Sequence, residues 1–149
     1  MKKLVMSGLV LSATLAAPAF ALEHEVVIDH ADGPIAADYR GAVTIETTQT
    51  GTAGVAGRPS TLACRWTATL NVERVAKVGE DLRSRRMLSR EDVARGSKPG
   101  WCETNAKAID RLVDARSETI RAVLLALVEQ DRAEILAEAE SAARNSRGA

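Results

Sequence analysis

Apolar and polar residues alternate more regularly along residues 61–73 than anywhere else in the chain. Leu62, Cys64, Trp66, Ala68, Leu70 and Val72 share one parity; Thr61, Arg65, Thr67, Thr69, Asn71 and Glu73 share the other. A period of two predicts a strand with one buried and one solvated face, and such strands belong to antiparallel sheets. Residues 39–49 repeat the pattern, with Tyr39, Val43, Ile45 and Thr47 on one side. The β-branched centre of 23–29 predicts a short first strand, closed by the turn signal Asp32-Gly33-Pro34. Beyond Val72 the next apolar residue is Val75, so the parity slips. That predicts a β-bulge near Glu73 and Arg74. Residues 78–81 read as a turn and 82–88 as a returning strand.

The period then changes. Ser89, the early acids Glu91 and Asp92, and Gly96 predict a short helical turn over 90–95. A loop over 96–100 follows. From 101 to 147 there is no Gly or Pro, and Thr104 or Asn105 can cap a helix. Ile109, Leu112, Val113, Ile120, Val123, Leu124, Leu127, Val128 and Ile135 fall in one arc at 100° per residue. The reading is an α+β fold: an antiparallel sheet of three or four strands, over about 23–88, packed on one long C-terminal helix over about 103–145. Trp66 and Leu70 are expected to face Leu112, Ile120 and Leu124.

Two charges sit wrongly in that helix. Arg116 and Asp131 project into the middle of the apolar arc, while Leu125 and Leu136 fall on its far side. They are about 22 Å apart along one axis and cannot pair within it. A partner surface including Arg116, Leu125, Asp131 and Leu136 follows as an expectation. One form is an antiparallel homodimer centred near Leu124, with Arg116 of one chain opposite Asp131 of the other. A helix of about 65 Å would also outrun a compact domain of about 35–40 Å, so it must break, fray or protrude.

The first 21 residues change what counts as the domain. Lys2 and Lys3, an apolar middle and Ala19-Phe20-Ala21 read as a signal peptide. The chain has 149 residues with 20 basic and 20 acidic side chains. Removing residues 1–21 takes two lysines, leaving a single exported domain over 22–149 with a small net negative charge. That balance argues against a nucleic-acid binder held by overall charge. No stable membrane insertion is expected after cleavage. The location expected is periplasmic or secreted. In an oxidising compartment the isolated pair Cys64 and Cys102 predicts a disulfide. It would close a loop of about 39 residues, worth roughly 4 kcal/mol on the chain-entropy model.

Candidate chemistry is sparse. His24 and His30, with Glu25, Asp29 and Asp32, resemble metal ligands, but an extended strand separates the imidazoles by about 20 Å. Gly51, Gly54 and Gly57 lack a following Gly-Lys-Ser/Thr, so they read as a mobile hairpin loop rather than a phosphate cradle. There is no Gly-x-Ser-x-Gly. Arg83, Arg85, Arg86 and Arg90 form a basic run with few aromatics to stack on bases. Trp66 and Trp101 would line a patch of core over the disulfide. No cofactor, metal or catalytic residue is expected. The function this supports is a non-enzymatic exported module that binds a protein or cell-envelope component. The alternatives are a small hydrolase-like enzyme with dispersed carboxylates, or a carrier of a small apolar ligand.

Overall fold

The computed structural model describes residues 21–78 and 82–148. The signal peptide expected at 1–21 lies outside them except for Ala21, as does most of the turn expected at 78–81. The chain is α+β. Strands β1 (Ala21–Ile28), β2 (Ile35–Thr50), β3 (Ala63–Val78) and β4 (Leu82–Pro99) make one antiparallel sheet in sequence order. Helices α1 (Cys102–Asp114) and α2 (Ser117–Arg147) follow.

The alternation fixes which face is covered. Ile35, Ala37, Tyr39 and Val43 of β2 are buried, as are Cys64, Trp66, Ala68, Leu70 and Val72 of β3. They meet Ile109 and Val113 of α1 and Ile120, Leu124, Leu127, Val128 and Ile135 of α2 in one core. Leu112 does not join them: it is 42% exposed, and Val113 takes the inward place. The polar parity of the strands forms the opposite face, which carries no helix among the described residues.

Three expectations are corrected. First, β3 has no bulge at Glu73-Arg74. Its pairing with β2 runs unbroken from Ile35↔Val78 to Thr50↔Ala63. Arg74 keeps the inward parity and is fully buried. Second, no helical turn forms over 90–95; those residues extend β4. A helix that short lacks an apolar stripe and cannot recover its nucleation cost, whereas β3 offers a ladder. The irregularity lies here instead. Ala68 pairs with Ala94 but Leu70 with Arg90, so β4 carries two extra residues, and Asp92 takes φ 54. An even number of extra residues restores the parity, with Leu88 and Ala94 both toward the core. Third, the long helix is two helices.

The break falls at Ala115 and Arg116 without Gly or Pro. Arg116 donates its N–H to Val113 O at 2.9 Å, a tightened turn, and takes φ −101, ψ 12. The sheet explains why so little had to give. Strands of 16 and 18 residues are about 50–60 Å long, so the domain is not the sphere that chain length suggests. At about 46 Å, α2 fits along it. Its end comes back to the β1–β2 turn, where Arg147 Nη2 lies 3.8 Å from Asp32.

Candidate functional site

A polar cluster lies beneath α2. Arg74 from β3 is 0% exposed and Asp131 from α2 is 3% exposed. Arg74 Nε lies 3.0 Å from Asp131 Oδ2, an ion-pair contact whose angle makes no hydrogen bond. The guanidinium instead donates in a fork to Glu138, Nη1 to Oε2 at 2.9 Å and Nη2 to Oε1 at 3.0 Å. Nη1 also donates to Ser84 Oγ, and Ser84 donates to Glu138. The Tyr39 hydroxyl donates to Asp131 Oδ2 at 3.0 Å. Nearer solvent, Arg86 donates to Glu134 at 3.0 Å.

The electrostatics of this cluster suit a fastener. The Arg74 fork holds the Glu138 carboxyl down to about 2; burial opposes it and Ser84 adds to it. Burial, then the Asp131 charge, pushes the Tyr39 hydroxyl up. Hydrogen bonding to Glu138 raises Arg74 against the cost of its burial. Every shift commits a group to the protonation state it already has at neutral pH. A general acid or base needs the reverse, a value drawn toward the working pH. Among the described residues, no three His, Cys, Asp or Glu side chains converge as a metal set. His24 sits half-buried on β1, and His30 accepts the Asp32 N–H in the turn.

A second fastener holds the other end. Cys64 and Cys102 are bonded, with Cα atoms 4.8 Å apart. Trp101 precedes α1 without a side-chain cap, and Gln49 supplies one from β2. Its Oε1 accepts the Cys102 N–H at 2.8 Å, while its Nε2 donates to Ala63 O and Gly100 O. Trp66 is buried across Gly96, whose bare Cα leaves room for the indole. Trp101, expected beside it, is 55% exposed. The cysteine bridge fixes backbones, and Trp101 points away because it sits where the loop turns into α1.

The uncovered face of the sheet is where chemistry meets solvent. Thr44, Glu46, Thr67, Thr69, Glu91 and Asp92 line an open hollow of about 370 Å³. The β4 bulge puts Glu91 and Asp92 at its rim, and Asn71 Nδ2 donates to Thr44 Oγ1 at 3.1 Å. A neighbouring hollow of about 220 Å³ alternates in charge, with Asp38, Arg40, Glu73, Lys77, Arg83 and Arg85. Arg85 pairs with Glu73 at 3.1 Å. The basic run is thus divided by strand parity: Arg83 and Arg85 face out, while Arg86 and Arg90 reach α2. Comparison with family models, curated proteins and solved structures finds no match.

The four residues expected to form a partner surface are not gathered together. Asp131 is inside, already paired to Arg74 and Tyr39. Arg116 lies exposed at the helix break, which turns it out of the stripe. Leu125 is 40% exposed, and Leu136 packs half-buried against the core. With the Asp131 charge buried and paired to Arg74 within its own chain, the charge argument for pairing it across a dimer falls away. Sequence reasoning did not connect Tyr39, Arg74, Ser84 and Glu138. The available signal was the pair of misplaced polar residues, Arg74 on the strand and Asp131 on the helix.

Proposed function

We propose that the protein is an exported, non-enzymatic module that binds a protein or cell-envelope component across the open face of its sheet. One observation carries this reading: among the described residues the sheet is fastened on one side and left bare on the other. The helices are held to the inner face by a buried ionic cluster and a disulfide. The outer face offers a hollow lined by hydroxyls, an amide and carboxylates. Such groups recognise polar, hydrogen-bonding partners rather than apolar ones. A rigid scaffold beneath them lowers the ordering cost of binding. The disulfide is compatible with an oxidising compartment, and among the described residues no helix is long and apolar enough to cross a membrane. Periplasmic or secreted location is part of the proposal.

The test is co-sedimentation of the purified protein with isolated cell envelopes of its host. The wild type is expected in the pellet, and the Thr67→Lys/Thr69→Lys variant in the supernatant. A wild type that stays in solution, or a variant that pellets equally, refutes binding through this face. Export is checked separately by the intact mass of protein recovered outside the cytoplasm, which should begin at Leu22.

A further inference from the structure

The two edges of the sheet are built in opposite ways. The β4 edge carries Arg83, Arg85, Arg86, Arg90, Arg95 and Lys98, a bulge at Asp92, and Pro99 at its end. Charges, bulges and proline are the devices that stop an edge from pairing with another chain. Over half its length the β2 edge has no bulge, no proline and a single charge, Glu46. Strand β1 pairs with residues 35–42 and stops there. Residues 43–50 pair with β3 on one side, in unbroken register, and with nothing among the described residues on the other. They read Val-Thr-Ile-Glu-Thr-Thr-Gln-Thr, rich in β-formers, with one charge and no proline.

We propose that residues 43–50 pair antiparallel with the same segment of a second copy, about a two-fold axis at Thr47. Paired residues must share a face, so the axis falls at a residue rather than between two. Centring on Glu46 would set two carboxylates opposite each other. Centring on Thr48 would leave Thr44 and Ile45 outside the ladder. Centring on Thr47 pairs Thr44 with Thr50, Ile45 with Gln49 and Glu46 with Thr48. It also completes a charge pattern. Thr48 is flanked on β3 by Arg65, on the same outer face. The row then runs Arg65, Thr48, and Glu46 of the second copy. Two strand spacings of about 4.8 Å separate the backbones of that Arg and Glu, within the joint reach of their side chains. Among the described residues, neither Glu46 nor Arg65 has an ion-pair partner within its own chain. The two-fold makes the pair twice. The seam stands whether or not the open face binds an envelope component.

Sedimentation velocity of the purified protein across micromolar concentrations tests this. A dimer is expected. Glu46→Arg and Arg65→Glu, each alone, place like charges in the row and should each weaken dimerisation about tenfold. The double variant Glu46→Arg/Arg65→Glu should restore it. Both side chains are exposed, and unchanged circular dichroism, with unchanged urea midpoints at concentrations where the wild type is monomeric, confirms for the singles that the fold is intact. A protein that is monomeric throughout overturns the proposal and leaves the edge to a foreign strand or to the chain's own first residues. A dimer indifferent to both reversals also overturns it, because its seam lies elsewhere.

Discussion

Replacing Arg74 by Met should be among the most damaging single changes in the protein. Arg74 is wholly buried and serves three groups on two elements, Asp131 and Glu138 of α2 and Ser84 of β4. Methionine fills much of the space but brings no charge. Asp131 would remain buried, with only the Tyr39 hydroxyl as donor and Oδ1 already without a partner. Breaking a buried pair from one side costs about 3–5 kcal/mol. Asp131→Leu should cost less, about 1–3 kcal/mol, because Arg74 keeps its fork to Glu138 and the loss is one contact plus the Tyr39 acceptor. The double variant should be less destabilised than the sum of the two, by about 1–3 kcal/mol, since the orphaned carboxylate is gone. Urea denaturation followed by circular dichroism measures all three, provided the slope of the transition is constant. Strict additivity, or an Arg74→Met loss below about 1 kcal/mol, would refute the view that this pair secures α2.

Three further outcomes follow from other contacts. Gly96→Ala should destabilise by about 1–3 kcal/mol, because the added Cβ would stand 2.9 Å from the Trp66 indole; a neutral urea midpoint would mean that the ring shifts freely. Glu138 lies at about 2 in the folded chain against an ordinary 4.5. Its contribution is therefore complete above about 4.5 and lost as pH falls through about 2. Thermal melts between pH 5 and 2 should show a steeper loss in the wild type than in Glu138→Gln, and parallel curves would remove the linkage. Reducing the Cys64–Cys102 bond should lower stability by about 4 kcal/mol on the chain-entropy model, read as a shift in urea midpoint with and without reductant.

The parts of this fold legible in the sequence are those where one period holds over many residues. The alternation of 61–73 and 39–49 placed the inner face, and the stripe from Ile120 to Ile135 placed α2. Two readings of single elements share a physical limit. Arg74 on β3 and Asp131 on α2 each break the pattern of their own element, and a local reading answers one with a bulge, which the register excludes, and the other with a second molecule. They are one interaction, 57 positions apart in numbering, that no single-element periodicity can join. The segment 90–95 failed differently. Its serine and acids are good local helix signals, but a strand waiting for a partner outweighs a one-turn helix. The outer hollow was not legible at all, because its rim depends on the two extra residues in β4.

The Cys64–Cys102 bond also proofreads the sheet. Cys64 stands opposite Lys98, so the β3–β4 hairpin, once correctly paired, carries Cys102 to the inner face only a few residues further on. A one-residue slip in that hairpin would turn Cys64 and Cys102 toward opposite faces of the sheet. Oxidation would then stall, leaving free thiols. Disulfide closure therefore discriminates the native register from its nearest misfolded neighbours, and the chain becomes covalently sealed only after its longest hairpin has been aligned.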